Sequence, residues 1–201
     1  MIAISAPRSA TLADAVLPRS LVRDVALVVG FAALTAIAAQ LTFRLPWTPV
    51  PITGQTFAVL ATGTVLGWQR GALSQLLYVV VGAVGLPIYA GAAGGWEAAT
   101  GATGGYLVGF ILAAALVGSL SERRQDRQLL TSIPAMLAGS ALIYVVGVPW
   151  LAAVLDVSGI KAMELGMVPF LIGDAAKLLL AGGLAPVAWR AVRRSEDADS
   201  G

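Results

Sequence analysis

Apolar residues in this chain come in long runs, separated by short clusters of charge, proline and glycine. Runs of this kind, nearly free of charge, point to helices that cross a membrane. Six are discernible, at 22–42, 56–68, 72–89, 106–120, 133–155 and 166–189. The second is short: at about 1.5 Å per residue it reaches only about 20 Å, so it must borrow loop residues or lie where the protein is thin. Residues 1–20, interrupted by Arg8, Asp14, Pro18 and Arg19, lack the apolar core of a signal peptide and read as a short, mobile tail. Residues 191–201 read as a charged tail, leaving 21–190 as the transmembrane domain.

The breaks between runs differ in kind. Residues 43–55 (FRLPWTPVPITGQ) carry Pro46, Pro49 and Pro51, which cannot continue a helix and predict an ordered or re-entrant loop. Residues 91–105 hold six glycines. Residues 121–128 (SERRQDRQ) form the most polar internal segment. Placing both termini in the cytoplasm puts ten of the thirteen basic residues inside, with only Arg44 and Lys161 outside and Lys177 within a span. A five-helix arrangement breaks that alternation. The fold class expected is therefore all-α, a six-helix membrane bundle with both ends inside.

Composition agrees: 58% of residues are hydrophobic, 12% are charged, and the mean hydropathy is +0.83. A soluble domain carries about 25% charged residues. Disorder, coiled coil and secreted disulfide scaffold are excluded. With neither cysteine nor histidine, thiolate chemistry, iron–sulfur clusters, His-ligated metals and Ser-His nucleophiles are excluded too. The net charge of +2, with arginines at span ends, reflects topology and not nucleic-acid binding.

Outside loops and helix mouths two ionisable residues remain, Asp174 and Lys177, both early in the sixth run. A charge at the bilayer centre costs about 2.5–3.5 kcal/mol, so each needs a reason. Three apart, they share a helix face and can pair. The pair is either a structural lock or a ligand site, and its expected depth, about one and a half turns below the outer end, suits a pocket that opens outward. A proton relay would have one station. The loops at 43–55 and 91–105 lie on that same side. Irregular backbone near a membrane survives only where protein buries it or it lines a cavity, so they are a lid and a wall in prospect. Trp47, Tyr89, Trp96 and Tyr106 flank these loops, as pocket walls or as interfacial aromatics. The glycines are not followed by the Gly-Lys-Ser/Thr of a phosphate-binding loop, so uphill transport would draw on an ion gradient or a partner. Small residues line the first run in two strips, Ala32/Ala36/Ala39 and Ala26/Gly30/Ala33, suited to internal packing or to docking a second membrane subunit.

Five segments resemble the BioY family, the biotin-binding S-components of energy-coupling factor (ECF) transporters. They are PVPITGQT at 49–56, GALSQLLY at 71–78, GLPIY at 85–89, GGYLVGF at 104–110 and PFLIGDAAK at 169–177, in family order. Ala102 stands where the family usually has proline, and Tyr89 where it more often has phenylalanine. The resemblance implies a six-helix bundle in a prokaryotic cytoplasmic membrane that captures biotin from outside. It implies as partners a transmembrane T-component and cytoplasmic ATPases, which alone use ATP, so the chain needs no cofactor or metal. Family docking through small residues of the first helix would make Ala32, Ala36 and Ala39 a partner surface.

Biotin's ureido ring offers two N–H donors and one carbonyl acceptor. Asp174 supplies acceptors and Lys177 donors, so the pair is assigned to the ureido N–H groups and carbonyl respectively. Trp96, Tyr89 and Tyr106 are candidates for the slot around the thiophane ring, with Thr53 and Gln55 at the pocket edge. For the valerate carboxylate, Arg44, Lys161 and the glycine-loop amides all remain open. The alternatives are an S-component for a different vitamin, a stand-alone secondary transporter driven by an ion gradient, and an intramembrane enzyme. No internal repeat with paired broken helices supports the second. No second buried carboxylate partners Asp174 for the third.

Overall fold

The computed structural model describes residues 11–199, and the rest of both expected tails lies outside them. The chain is a helical bundle. Its elements run α1 (Leu12–Val16), α2 (Leu21–Gln40), a two-stranded hairpin β1 (Thr42–Phe43) and β2 (Ile52–Thr53), α3 (Gln55–Leu66), α4 (Trp68–Ala83), α5 (Trp96–Thr100), α6 (Gly104–Glu122), α7 (Leu129–Leu155), α8 (Gly159–Gly166), a 3₁₀ turn Val168–Phe170, and α9 (Leu171–Asp199). Among the described residues four helical segments are long and apolar enough to cross a membrane: α2, α6, α7 and the run Gly159–Ser195. Helix α3 is apolar but shorter.

Helix α6 is the centre of the bundle, with a core running from Tyr106 and Phe110 through Ala113 and Ala114 to Val117. Glycine lets its neighbours approach this closely. A Cβ on Gly63 of α3 would stand 2.6 Å from the Ala114 carbonyl, and one on Gly118 would stand 2.5 Å from the Trp68 amide. In lipid, where helices gain nothing from expelling water, such backbone-close crossings supply the packing energy. The α3–α4 turn is made by Gly67 at φ +82°, and Glu122 of α6 accepts the Trp68 amide at 3.1 Å, capping α4.

Residues 11–20 are not a loose tail. Thr11 caps α1, Leu12 and Ala13 are buried, and Asp14 accepts from Arg19 at 3.1 Å, Arg23 at 3.0 Å and Arg70 at 3.0 Å. Burial alone would raise the Asp14 pKa, but hydrogen bonds from three guanidinium groups outweigh it and hold the carboxyl below its usual range. The charged C-terminal stretch likewise continues α9 as far as Asp199, since nothing in RAVRRSEDAD breaks a helix.

Two further boundaries differ from those read in the sequence. The last span begins at Leu171, because Ser158 caps a separate helix, α8, which ends at Gly166 before the 3₁₀ turn. The glycine-rich loop contains α5. The strip Ala32/Ala36/Ala39 faces inward: Ala32 and Ala39 are buried, and Ala36 packs on the same core as Val59, Tyr78 and Tyr89. It presents no free docking face. The strip open to the outside is Ala26/Gly30/Ala33, and nothing lies within 4 Å of a Cβ built on Gly30.

Candidate ligand-binding pocket

The hairpin places the proline-rich loop over one end of the bundle. Thr42 pairs with Thr53 and Phe43 with Ile52, and the Thr48 hydroxyl donates to the Leu165 carbonyl of α8 at 2.6 Å. Val50, between them, is buried. Gln40, the last residue of α2, ties this cover to the next loop: its amide donates to the Ile88 and Tyr89 carbonyls at 3.3 and 3.2 Å, and its oxygen accepts the Ala92 amide at 3.1 Å. Lid and wall are thus one connected surface.

Beneath it lies a cavity with about 660 Å³ of atom-free space, measured out to its open mouth. Pockets of a few hundred to about 1,000 Å³ are usual for small-molecule ligands. Asp174 and Lys177, one turn apart at the start of α9, form one wall. Lys177 donates to Asp174 Oδ1 at 2.8 Å, and the hydroxyl of Tyr144 on α7 donates to Oδ2. Asp174 is only 7% exposed and lies in the first turn of α9.

Two tyrosine pairs frame the remainder. The ring of Tyr144 stands edge-on to that of Tyr106, with centroids 6.4 Å apart, and Tyr106 donates to the Gly166 carbonyl at 2.7 Å. Across the cavity Tyr78 and Tyr89 meet edge-on at 5.5 Å. Gln55 donates to the Tyr78 hydroxyl at 2.8 Å and accepts from the Thr53 hydroxyl at 3.0 Å. Phe110, Ile143 and Phe170 supply apolar surface between the pairs. A rigid apolar slot with paired donors and acceptors at one end suits a compact, partly polar ring.

Of the site residues expected from the sequence, Asp174, Lys177, Tyr89, Tyr106, Thr53 and Gln55 all line this cavity. Trp96 does not. It sits at the start of α5 and is 72% exposed. Lys161 is held by Glu164 at 2.9 Å, away from the lining residues. Sequence reading missed Tyr144, Ser140 and Tyr78. Ser140 and Tyr144 stand four apart in a run that is otherwise apolar, and that spacing was the available signal.

The BioY family model matches residues 8–194. The chain belongs to the BioY family. As a family member it is 39% identical over 155 residues to a probable biotin transporter BioY of Pyrococcus horikoshii, covering 77% of this chain and 89% of the relative. It is likewise 39% identical over 156 residues to the biotin transporter BioY of Thermotoga maritima, covering 77% and 89%. A third similar protein, the biotin transporter BioY of Rhizobium etli, is 35% identical over 167 residues, covering 79% and 89%. The fold of this BioY member is similar to the crystal structure of the S-component for biotin from an ECF-type ABC transporter. The TM-score is 0.76 at 23% identity, with 84% of this chain and 92% of that one covered.

Proposed function

We propose that this chain binds biotin at the outer side of a prokaryotic cytoplasmic membrane and serves as the S-component of an energy-coupling factor transporter. The observation that carries this is the Asp174–Lys177 pair, clamped by Tyr144 at the wall of an apolar cavity in a BioY chain. Asp174 accepts the ureido N–H groups, while Lys177, which uses one of its three donors on Asp174, is the donor available to the ureido oxygen. Tyr106, Tyr89, Phe110 and Ile143 enclose the thiophane ring. The ligand is held and moved, not transformed, so the chain acts as a carrier subunit and not an enzyme, and it needs no cofactor of its own.

The topology proposed has six spans, α2, α3, α4, α6, α7 and α9, with both termini cytoplasmic. The loops at their outer ends cover the pocket, and Arg19, Arg23, Arg70, Arg123, Arg124, Arg127 and Arg190 gather at the opposite ends, which supports this orientation. A T-component and ATPases would supply the energy. The outward strip Ala26/Gly30/Ala33 on α2 is the face suited to close docking of a membrane partner.

Titrating the purified chain in detergent with biotin tests the reading. Stoichiometric binding is expected. A folded protein that ignores biotin would overturn it and bring the other vitamins forward.

A further inference from the structure

One cation lies close to the lining residues Tyr89 and Ala90 and has no task yet. Arg44 follows β1, two residues after Thr42, which pairs with the pocket residue Thr53. Its guanidinium lies against Gly91: a Cβ built there would stand 2.8 Å from Arg44 Nη2. Gly91 adjoins Ala90, which lines the cavity together with Tyr89. Gly91 also sits at φ +69°, where a side chain is strained, so the loop keeps this space free for the guanidinium.

Two other basic side chains are already engaged, Lys177 by Asp174 at 2.8 Å and Lys161 by Glu164 at 2.9 Å. Among the described residues Arg44 has neither an ion-pair nor a hydrogen-bond partner, and its side chain is exposed. A guanidinium offers two parallel donors that match a carboxylate. Arg44 stands on the 43–55 loop with its guanidinium against Gly91 of the next loop, and Gln40 ties the two loops together.

We propose that Arg44 selects the acidic end of the ligand, so that the site takes the free acid and discriminates against its neutral amide and ester conjugates. This rests on the biotin reading, which places the ureido ring at Asp174 and so directs the valerate chain toward the mouth. Arg44 reaches that chain as it emerges. Because the residue is exposed, its effect is moderate, and it appears in the comparison of two ligands and not in the fold.

The test compares biotin with biotinamide by calorimetric titration of the full chain in detergent. The unaltered protein is expected to bind biotin about tenfold more tightly than biotinamide. Arg44→Gln and Arg44→Ala should erase that preference by weakening biotin alone, with biotinamide affinity unchanged, and Arg44→Lys should restore part of it. A ratio that survives in both variants would overturn the proposal and place the carboxylate elsewhere. Equal binding of the two ligands by the unaltered protein would also overturn it. If the unaltered protein bound neither, it is the biotin reading itself that would fall.

Discussion

Tyr144 and Asp174 lie 30 residues apart on different helices, yet the hydroxyl of one donates directly to the carboxylate of the other. With Lys177 on the second oxygen, Asp174 is oriented before any ligand arrives. An acceptor fixed in this way loses little freedom on binding, which is how a small pocket gains affinity.

On the proposed assignment, replacing Asp174 by asparagine turns one acceptor into a donor facing the ureido donors, and removes the charge that Lys177 pairs with. Biotin affinity should fall by about a hundredfold or more, a loss of about 3 kcal/mol or greater. Calorimetric titration measures this, with circular dichroism to establish that the helices persist. Unchanged affinity would refute the head-group assignment.

Tyr144→Phe keeps the ring that stands edge-on to Tyr106 and removes only the donor. The expected result is a five- to thirtyfold weaker complex, from the loss of about 1–2 kcal/mol, with thermal stability nearly unaltered. A large drop in melting temperature instead would show that Tyr144 acts chiefly on the fold.

Trp96→Ala should leave biotin binding within about twofold, because the side chain is exposed on α5 and outside the cavity lining. A tenfold loss in the same titration would mean that α5 folds over the ligand.

Gly63→Ala inserts a methyl group against the Ala114 carbonyl, and the backbone of α6 cannot step aside as a side-chain tip could. A cost of about 1–3 kcal/mol is expected, read as a lower unfolding temperature in detergent. Gly30→Ala, which points into open space on α2, serves as the neutral comparison.

The Asp14 cluster predicts an acid-side weakness. Its carboxyl pKa is lowered in the folded chain, so its contribution is full above the ordinary carboxylate value of 3.8 and is lost as pH falls from there toward the depressed folded value. Asp14→Asn should destabilise the protein by about 2–3 kcal/mol at neutral pH and flatten this part of the pH profile. Thermal unfolding from about pH 2 to pH 5, the range in which this contribution is being lost, compares the two proteins. A variant that retained the parent's acid sensitivity would locate it elsewhere.

Features that rest on local spacing were open to the sequence. Apolar runs predict helices because each must satisfy its own backbone in lipid, and the prolines at 46, 49 and 51 exclude a helix by themselves. Asp174 and Lys177 share a face by the helical period alone, whatever packs against them. The motifs from 49 to 177 carried the family. Tertiary structure decided how each helix is turned about its axis. Two strips of small residues on α2 look alike in sequence, and only packing against the core containing Val59 and Tyr78 sends Ala32 and Ala36 inward and leaves Gly30 outside. The same holds for Trp96, carried outward by a short helix within a glycine-rich loop, and for Tyr144, whose partner comes from a different helix. Helix rotation follows from contacts between elements distant in the chain, and no periodicity within one element specifies it.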